Sequence, residues 1–331
     1  MIKPAELKQS VKRRLLLESG SSVTPALVLF ALWAVYLVAT GYWSKGILFA
    51  LAWLAIASYL IQSSRDVARQ FFIDLQVLAK TESSVLETLT TAFLESLTSN
   101  KFLFFSLPLV AGIIALIEFS DIFPEGFATL LAYVTLGLVF LFAGKGFWGV
   151  CAATLYLFRT TRVNLAIDPF FPDGKGGFTI PDDFLHRVGW YYFSGGLLLP
   201  MAFEFGRQAT DDFARLLVAL FLVVFFAVGI FAMIIGKFLI IMSYESARRD
   251  AMRASAQQMR KLHSEGGPKE EIENETKLQQ SLEKMSRPQV DRYKFFGLIP
   301  QVVTAALPLA SYGQDSLLKF TTDVFAILTK T

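Results

Sequence analysis

Lys145 and Lys237 are the residues whose chemistry first demands an account. Each interrupts a long uncharged run, and each follows a glycine, as Gly144-Lys145 and Gly236-Lys237. A charge held at mid-bilayer costs about 2.5–3.5 kcal/mol on insertion scales, so an ionisable side chain in such a run is either functional or within reach of water. Two lysines at matching depth on helices of the same direction would line an anion path or bind lipid phosphate. Ordinary snorkelling is the plainer alternative, since each lies about 25–35 Å along its helix, close to the inner membrane boundary. Glu118, Glu204 and Arg215 fall near the outer ends of their runs, where water is at hand, and are expected to have no special role.

The segment from Asp168 to Phe178 reads DPFFPDGKGGF. Its prolines stiffen the chain and its glycines permit turns closed to other residues. Asp168 and Asp173, joined by Asp182 and Asp183, carry oxygen ligands of the kind Ca²⁺ or Mg²⁺ prefers, while Gly174, Lys175, Gly176 and Gly177 could offer backbone N–H groups to an anion. Neither pattern is complete, because no alternating acidic ladder with a closing glutamate appears and no Ser or Thr follows the lysine. The segment is therefore expected to serve first as a structural turn leading into the next span. No metal centre, cofactor or enzymatic site is expected: the sequence has one cysteine and two histidines, and Cys151, His186 and His263 lie without ligand spacing. Cys151, within an apolar run, reads as a packing residue.

What must position these residues is a membrane scaffold. Of the 331 residues, 54% are hydrophobic and 18% charged, against roughly 45–50% and about 25% in soluble domains. The excess is gathered into runs near the ~20 residues that cross a bilayer, so the expected fold class is all-α, a polytopic helical membrane protein. Val23 to Trp43 and Gly46 to Gln62 form a first hairpin. Phe102 to Phe119 and Ala128 to Phe158 form a second around Asp121 and Glu125, and Gly189 to Phe205 with Phe213 to Met242 a third. Links this short require antiparallel neighbours. The third hairpin is the weakest, because Gly195, Gly196, Pro200 and Glu204 fall in its first arm. A cleaved signal peptide fits the first run poorly, since that run exceeds an apolar core of about 7–15 residues and lacks a small-x-small site.

The resulting division is a basic segment 1–22, a hairpin 23–62, amphipathic helices 63–101, a hairpin 102–158, a Gly/Pro/Asp loop 159–188, a hairpin 189–242, a helical arm 243–293 and an apolar-to-amphipathic end 294–331. Lys and Arg number 24 in the segments 1–22, 63–101, 159–188 and 243–294 and 2 in the intervening turns. By the positive-inside rule this places the former segments, with both termini, in the cytoplasm and the protein in the cell membrane. A net charge of +3 is too small to argue for nucleic acid.

Several runs reach past the membrane. Val67, Phe71, Leu75 and Leu78 continue the second span as an amphipathic helix, and Ser84 with Glu87 reads as a capping box opening another, with Val85, Leu89, Phe93 and Leu97 on one side. Ala128 to Phe158 and Phe213 to Met242 measure about 46 and 45 Å at 1.5 Å per residue, beyond the ~30 Å hydrocarbon core, so both should enter a cytoplasmic helical layer. Tyr244 to Ser264, the stop at Gly266-Gly267-Pro268, and Lys269 to Ser286 predict an antiparallel helical hairpin whose heptads are too poor for a long coiled coil. Phe295 to Ala310, with Pro300 and Pro308, fits a re-entrant segment, a buried one or a seventh crossing. Leu317, Phe320, Val324 and Leu328 mark an amphipathic ending.

Ala50, Ala52, Ala55 and Ala57 point to close helix contacts within or between chains. The functional expectation is a homo-oligomeric channel-like protein passing small ions, with the lipid bilayer and further copies of itself as partners. The alternatives are a membrane-anchored scaffold or signalling component that engages a cytoplasmic protein, and a secondary transporter.

Overall fold

The computed structural model describes residues 23–41, 44–78, 83–120, 123, 126–160, 163, 165–209, 212–285 and 298–330. The basic segment 1–22, Trp43, Lys80, Asp121, Glu125, Phe295 and the rest of 286–297 lie outside them, as do the side chains of Ser84 and Leu328, with whatever the sequence reading placed on those residues.

Helices account for almost all of the described chain, and no strand occurs among those residues. The helices are α1 (Val23–Thr40), α2 (Lys45–Leu78), α3 (Ser83–Thr98), α4 (Leu103–Ser120), α5 (Phe127–Thr160), α6 (Thr179–Phe193), α7 (Leu199–Gln208), α8 (Asp212–Glu265), α9 (Lys269–Lys284), α10 (Leu298–Ala306) and α11 (Gln314–Lys330). Short 3₁₀ segments occupy Asn100–Phe102, Ser194–Leu198 and Leu307–Tyr312. Among the described residues, four stretches are long and apolar enough to cross a membrane: Lys45–Gln76, Asn100–Glu118, Phe127–Thr160 and Asp212–Glu265; Thr24–Thr40 is apolar but shorter. Large apolar side chains stand exposed along them, among them Val38, Phe104, Leu130, Val223 and Phe231. Such a surface is stable against hydrocarbon and unstable against water.

Two hydrophobic cores lie end to end along the long helices α2, α5 and α8. One surrounds the α1–α2, α4–α5 and α7–α8 turns and includes Leu29, Leu54, Ile117, Leu136, Phe203 and Val218. The other lies toward the far ends of the same helices and includes Phe72, Phe93, Tyr156, Phe184, Ile240 and Leu282. We refer to these as the turn end and the arm end. At the arm end, α8 continues without a break to Glu265, about 81 Å for its 54 residues. The chain then turns at Gly266, and α9 packs back along α8, where the Arg248 guanidinium donates to the Leu282 and Glu283 carbonyls at 3.1 Å each.

The expected third hairpin is built differently from its sequence reading. Its first arm starts at Thr179, not Gly189, and is interrupted: α6, the Ser194–Leu198 turn and α7 succeed one another with a break at Gly195-Gly196. Two features mark the break. A Cβ on Gly196 would collide with the Ala305 backbone, so α10 is pressed against the interruption, and Pro200 in the first turn of α7 cannot donate to the preceding turn.

The C-terminal segment lines this broken arm along its length. The Gln301 side-chain amide donates to the His186 carbonyl at 3.1 Å, Ala305 meets Gly196, and the Tyr312 hydroxyl donates to the Pro200 carbonyl at 3.1 Å. Residues 298–312 therefore run from the middle of α6 to the turn end, where the Lys45 ammonium donates to the Ser311 carbonyl. Residues 298–310, with Pro300 and Pro308, are thus packed along the broken arm.

Candidate functional site

The acidic, glycine-rich loop is consumed by its own fold. The Asp173 carboxylate accepts from the Lys175 N–H at 2.8 Å, from the Gly177 N–H at 3.0 Å on both oxygens, and from the Thr179 N–H and hydroxyl at 3.2 and 2.9 Å. It caps the start of α6 from a turn outside the helix. Burial alone would raise its pKa, but the hydrogen bonds from Gly177, Lys175 and Thr179 outweigh that and hold the carboxyl below its ordinary value. Asp168 accepts from the Phe170 N–H at 2.9 Å.

Gly176 and Gly177 adopt φ of 66° and 90° and sit against other elements. A Cβ on Gly176 would strike Ile167 and Met285, and one on Gly177 would strike Leu78. Gly174, also at positive φ, faces open space. The loop thus joins the far ends of α2 and α9 to the start of α6, and Phe178 closes the joint edge-on to Tyr244 of α8 with ring centres 5.3 Å apart. Among the described residues no cluster of three or more His, Cys, Asp or Glu side chains could hold a metal ion.

The two lysines are placed apart from each other in chemical terms. Lys237 forms an ion pair with Asp182 in the first turn of α6, so this acid, grouped by sequence with the loop, faces the lysine instead. Lys145 lies 5.4 Å from the centre of the Phe102 ring and forms part of a cavity wall. Glu204 departs most from its sequence reading. It is 7% exposed, not at a watery helix end, and accepts from the Gly46 N–H at 2.6 Å and the Tyr312 hydroxyl at 3.0 Å. A carboxylate at the first turn of α2 is favoured by that helix's N-terminal dipole. Lys45 and Arg207 lie 5.8 and 5.9 Å from the Tyr312 ring centre, which adds positive charge to the same corner.

Two adjoining cavities occupy the region between the cores. The larger, about 450 Å³, is walled by α4, α5, the broken arm and α8, with Phe104, Phe105, Phe140, Phe147, Phe221 and Phe225 supplying most of its lining. Its volume falls in the range of small-molecule sites, about 300–1,000 Å³. The smaller, about 80 Å³, is lined by apolar residues of α2, α3, α5 and α6 together with Ser64, Arg65, Lys145, Tyr191 and Ser194. Among the described residues, two cations and no carboxylate line it. Arg65 is only 5% exposed, and the Tyr191 hydroxyl lies 2.6 Å from the Ser63 hydroxyl.

Trp53, Gly146 and Tyr191 belong to both walls. Trp53 is unlike the other described tryptophans. Trp33 donates to Thr135, Trp148 to the Ser96 carbonyl and Trp190 to His186, whereas the buried Trp53 indole N–H has no acceptor. A buried donor left without an acceptor costs about 1–3 kcal/mol.

Sequence reasoning singled out Lys145 but missed Trp53, Arg65, Gly146 and Tyr191. Arg65 was visible only as the first charge after the Gly46 to Gln62 run. Comparison with protein-family models, with curated proteins and with solved structures finds no match to this chain.

Proposed function

We propose that the chain is an integral membrane protein that takes a membrane-resident apolar molecule into the cavity between α4, α5 and α8. The observation that carries this reading is the 450 Å³ aromatic cavity, flanked on α4 and α8 by Phe104 and Val224, both exposed on surfaces apolar enough to face lipid. A neutral hexadecyl probe bearing a diazirine tests it. Photolysis in reconstituted membranes should label Phe140, Phe221 and Phe225 above the outward-facing Val35, Val38 and Leu130; even labelling of both sets overturns the proposal.

Of the sequence-based readings this is nearest to the transporter. The interrupted α6–α7 arm contributes Gly195 and Leu198 to the cavity wall, in keeping with the rule that irregular backbone at membrane depth lines a cavity or is buried in protein. The homo-oligomeric small-ion channel has less support. Lys237 is engaged by Asp182, and Ala50 and Ala57 are packed inside the single chain. Ion flux through liposomes that falls in the Lys145→Gln, Lys237→Gln double variant would restore it. The scaffold reading finds its surface in the α8–α9 hairpin, where Arg249, Asp250, Arg253 and Glu271 are exposed.

The membrane arrangement belongs to the same proposal: α1, α2, α4, α5, the broken arm and α8 are the six crossings, with the arm end cytoplasmic. Residues 298–312 then make a further passage, so Ser311 shares a side with Gly41. In a Cys151→Ala background, Ser311→Cys and Gly41→Cys should react with an impermeant maleimide from outside, and His263→Cys should not. Protection of Ser311→Cys with labelling of Gly41→Cys would sink this arrangement.

A further inference from the structure

The wall of the larger cavity carries no charge among the described residues, and nine of its sixteen lining residues are aromatic. We propose that this cavity takes a flat, neutral, ring-bearing molecule whose carbonyl oxygen accepts from the Trp53 indole N–H. This rests on the reading of the cavity given above and adds the chemical class of its occupant.

The rings are the first argument. Phe105 meets Phe147 with ring centres 5.2 Å apart, Phe147 meets Tyr192 at 6.3 Å, and Tyr192 stacks on Phe225 at 5.0 Å. These contacts join α4, α5, α6 and α8 into one aromatic wall, and Phe140 of α5 meets Phe221 of α8 edge to face at 6.2 Å. Aromatic groups attract one another through faces and edges beyond the area they bury. A planar ring entering this wall gains those contacts, and a saturated chain of equal area does not. An ion would give up its hydration with no opposite charge among the described lining residues, so the occupant is neutral.

Trp53 is the second argument, and it is independent of the rings. Three of the lining residues carry a polar side-chain atom: Trp53, Tyr191 and Tyr192. The Tyr192 hydroxyl donates to the Phe225 carbonyl at 2.6 Å, and the Tyr191 hydroxyl is engaged with that of Ser63. The Trp53 indole N–H has no acceptor, although the residue is only 6% exposed. An indole N–H donates and never accepts, so what satisfies it is an acceptor. A carbonyl oxygen is an acceptor without charge, and it meets both requirements of the wall.

Gly146 supplies a control by volume alone. It belongs to the same wall, and a Cβ built there meets nothing within 4 Å. Gly146→Leu therefore narrows the cavity and leaves its charge and its Trp53 donor unchanged.

The test uses the full-length protein in detergent micelles, where probes at equal mole fraction in the micelle compete with the hexadecyl diazirine for labelling of Phe140, Phe221 and Phe225. The probes are an octyl-substituted acetylnaphthalene, its isopropenyl isostere, which keeps the shape and lacks the oxygen, its decalin counterpart, which keeps the oxygen and lacks the flat ring, and the corresponding naphthoate. On wild type the acetylnaphthalene should compete about three- to tenfold better than the isostere, about threefold better than the decalin and about tenfold better than the naphthoate. Trp53→Phe should bring the ketone and its isostere to equal potency while the acetylnaphthalene keeps its lead over the decalin, a change in ratio that a merely structural role would not produce. Gly146→Leu should weaken all of them. Equal potency of ketone and isostere on wild type, or a ketone preference that survives Trp53→Phe, overturns the Trp53 assignment. A decalin as potent as the acetylnaphthalene overturns the ring class, and a naphthoate as potent overturns neutrality. Selective cavity labelling that no probe reduces overturns this proposal alone; labelling no stronger in the cavity than at Val35, Val38 and Leu130 overturns the cavity reading as well.

Discussion

The Asp173 loop and the Trp53 cavity are built on opposite principles. In the loop nearly every polar group is used: one carboxylate receives hydrogen bonds from three residues, and two glycines leave no room for even a methyl group. Around Trp53 an indole N–H has no acceptor, a glycine looks into open space, and a cation is buried beside a void. The loop carries the residues that advertise chemistry in sequence, and folding engages the Asp173 carboxylate and the space beside Gly176 and Gly177. The cavity carries no motif, and its Trp53 indole N–H is left over. Unused bonding potential, more than residue type, marks where a ligand can act.

The sharpest way to break this contrast is to make one substitution in both places. Gly177→Ala forces a side chain into a left-handed backbone and against Leu78. The cost should be about 2–5 kcal/mol, read as a large fall in the unfolding midpoint in detergent. A midpoint within a degree of wild type would mean the loop is not the joint described. Asp173→Ala removes the cap from α6 and should cost about 1–3 kcal/mol at neutral pH. Because the folded carboxyl has a lowered pKa, its stabilisation is present above the ordinary aspartate value near 3.9 and lost as pH falls through the folded value. The gap between wild type and Asp173→Asn should therefore close in acid, below about pH 4; a gap that widens there reverses the assignment.

Tyr312→Phe should cost less, about 1–2 kcal/mol, by stripping one donor from the Pro200 carbonyl and from buried Glu204. Smallest, and opposite in sign, is Gly146→Ala. With nothing near its Cβ and a helical backbone, the alanine should stabilise α5 by about 0.5–1 kcal/mol, measured by the same melts. Destabilisation there would mean that the space beside Gly146 is not open.

The helical character of the chain and its apolar runs were legible in sequence because they are local properties. Periodicity and composition carried α2 past its apolar run, and Gly266-Gly267-Pro268 marked the end of α8. The interruption of the third hairpin's first arm was legible only as weakness, since Gly195, Gly196 and Pro200 were noted but Ala305, whose backbone lies against Gly196, is more than a hundred residues on. Glu204 was misplaced for the same reason. Its burial depends on Gly46 and Tyr312, at separations of 158 and 108 residues. Lys237 looked available because Asp182 belongs to another element. The cavity is harder still, because a void is a property of what several helices fail to fill together, and no single residue type encodes it.

The strip formed by Gln301, Ala305, Tyr312 and Phe320 has a consequence for biogenesis. These residues are made after the interrupted helix, with Gln301 more than a hundred residues beyond His186, yet they cover it, and Phe320 fills the space beside Gly206. Until they arrive, the nascent bundle holds an unlatched kink with a bare carboxylate at its rim. The broken arm is therefore sealed only once this later segment has been made, and a chain clipped before Gln301 would be inserted yet unsealed, an open substrate for membrane quality control.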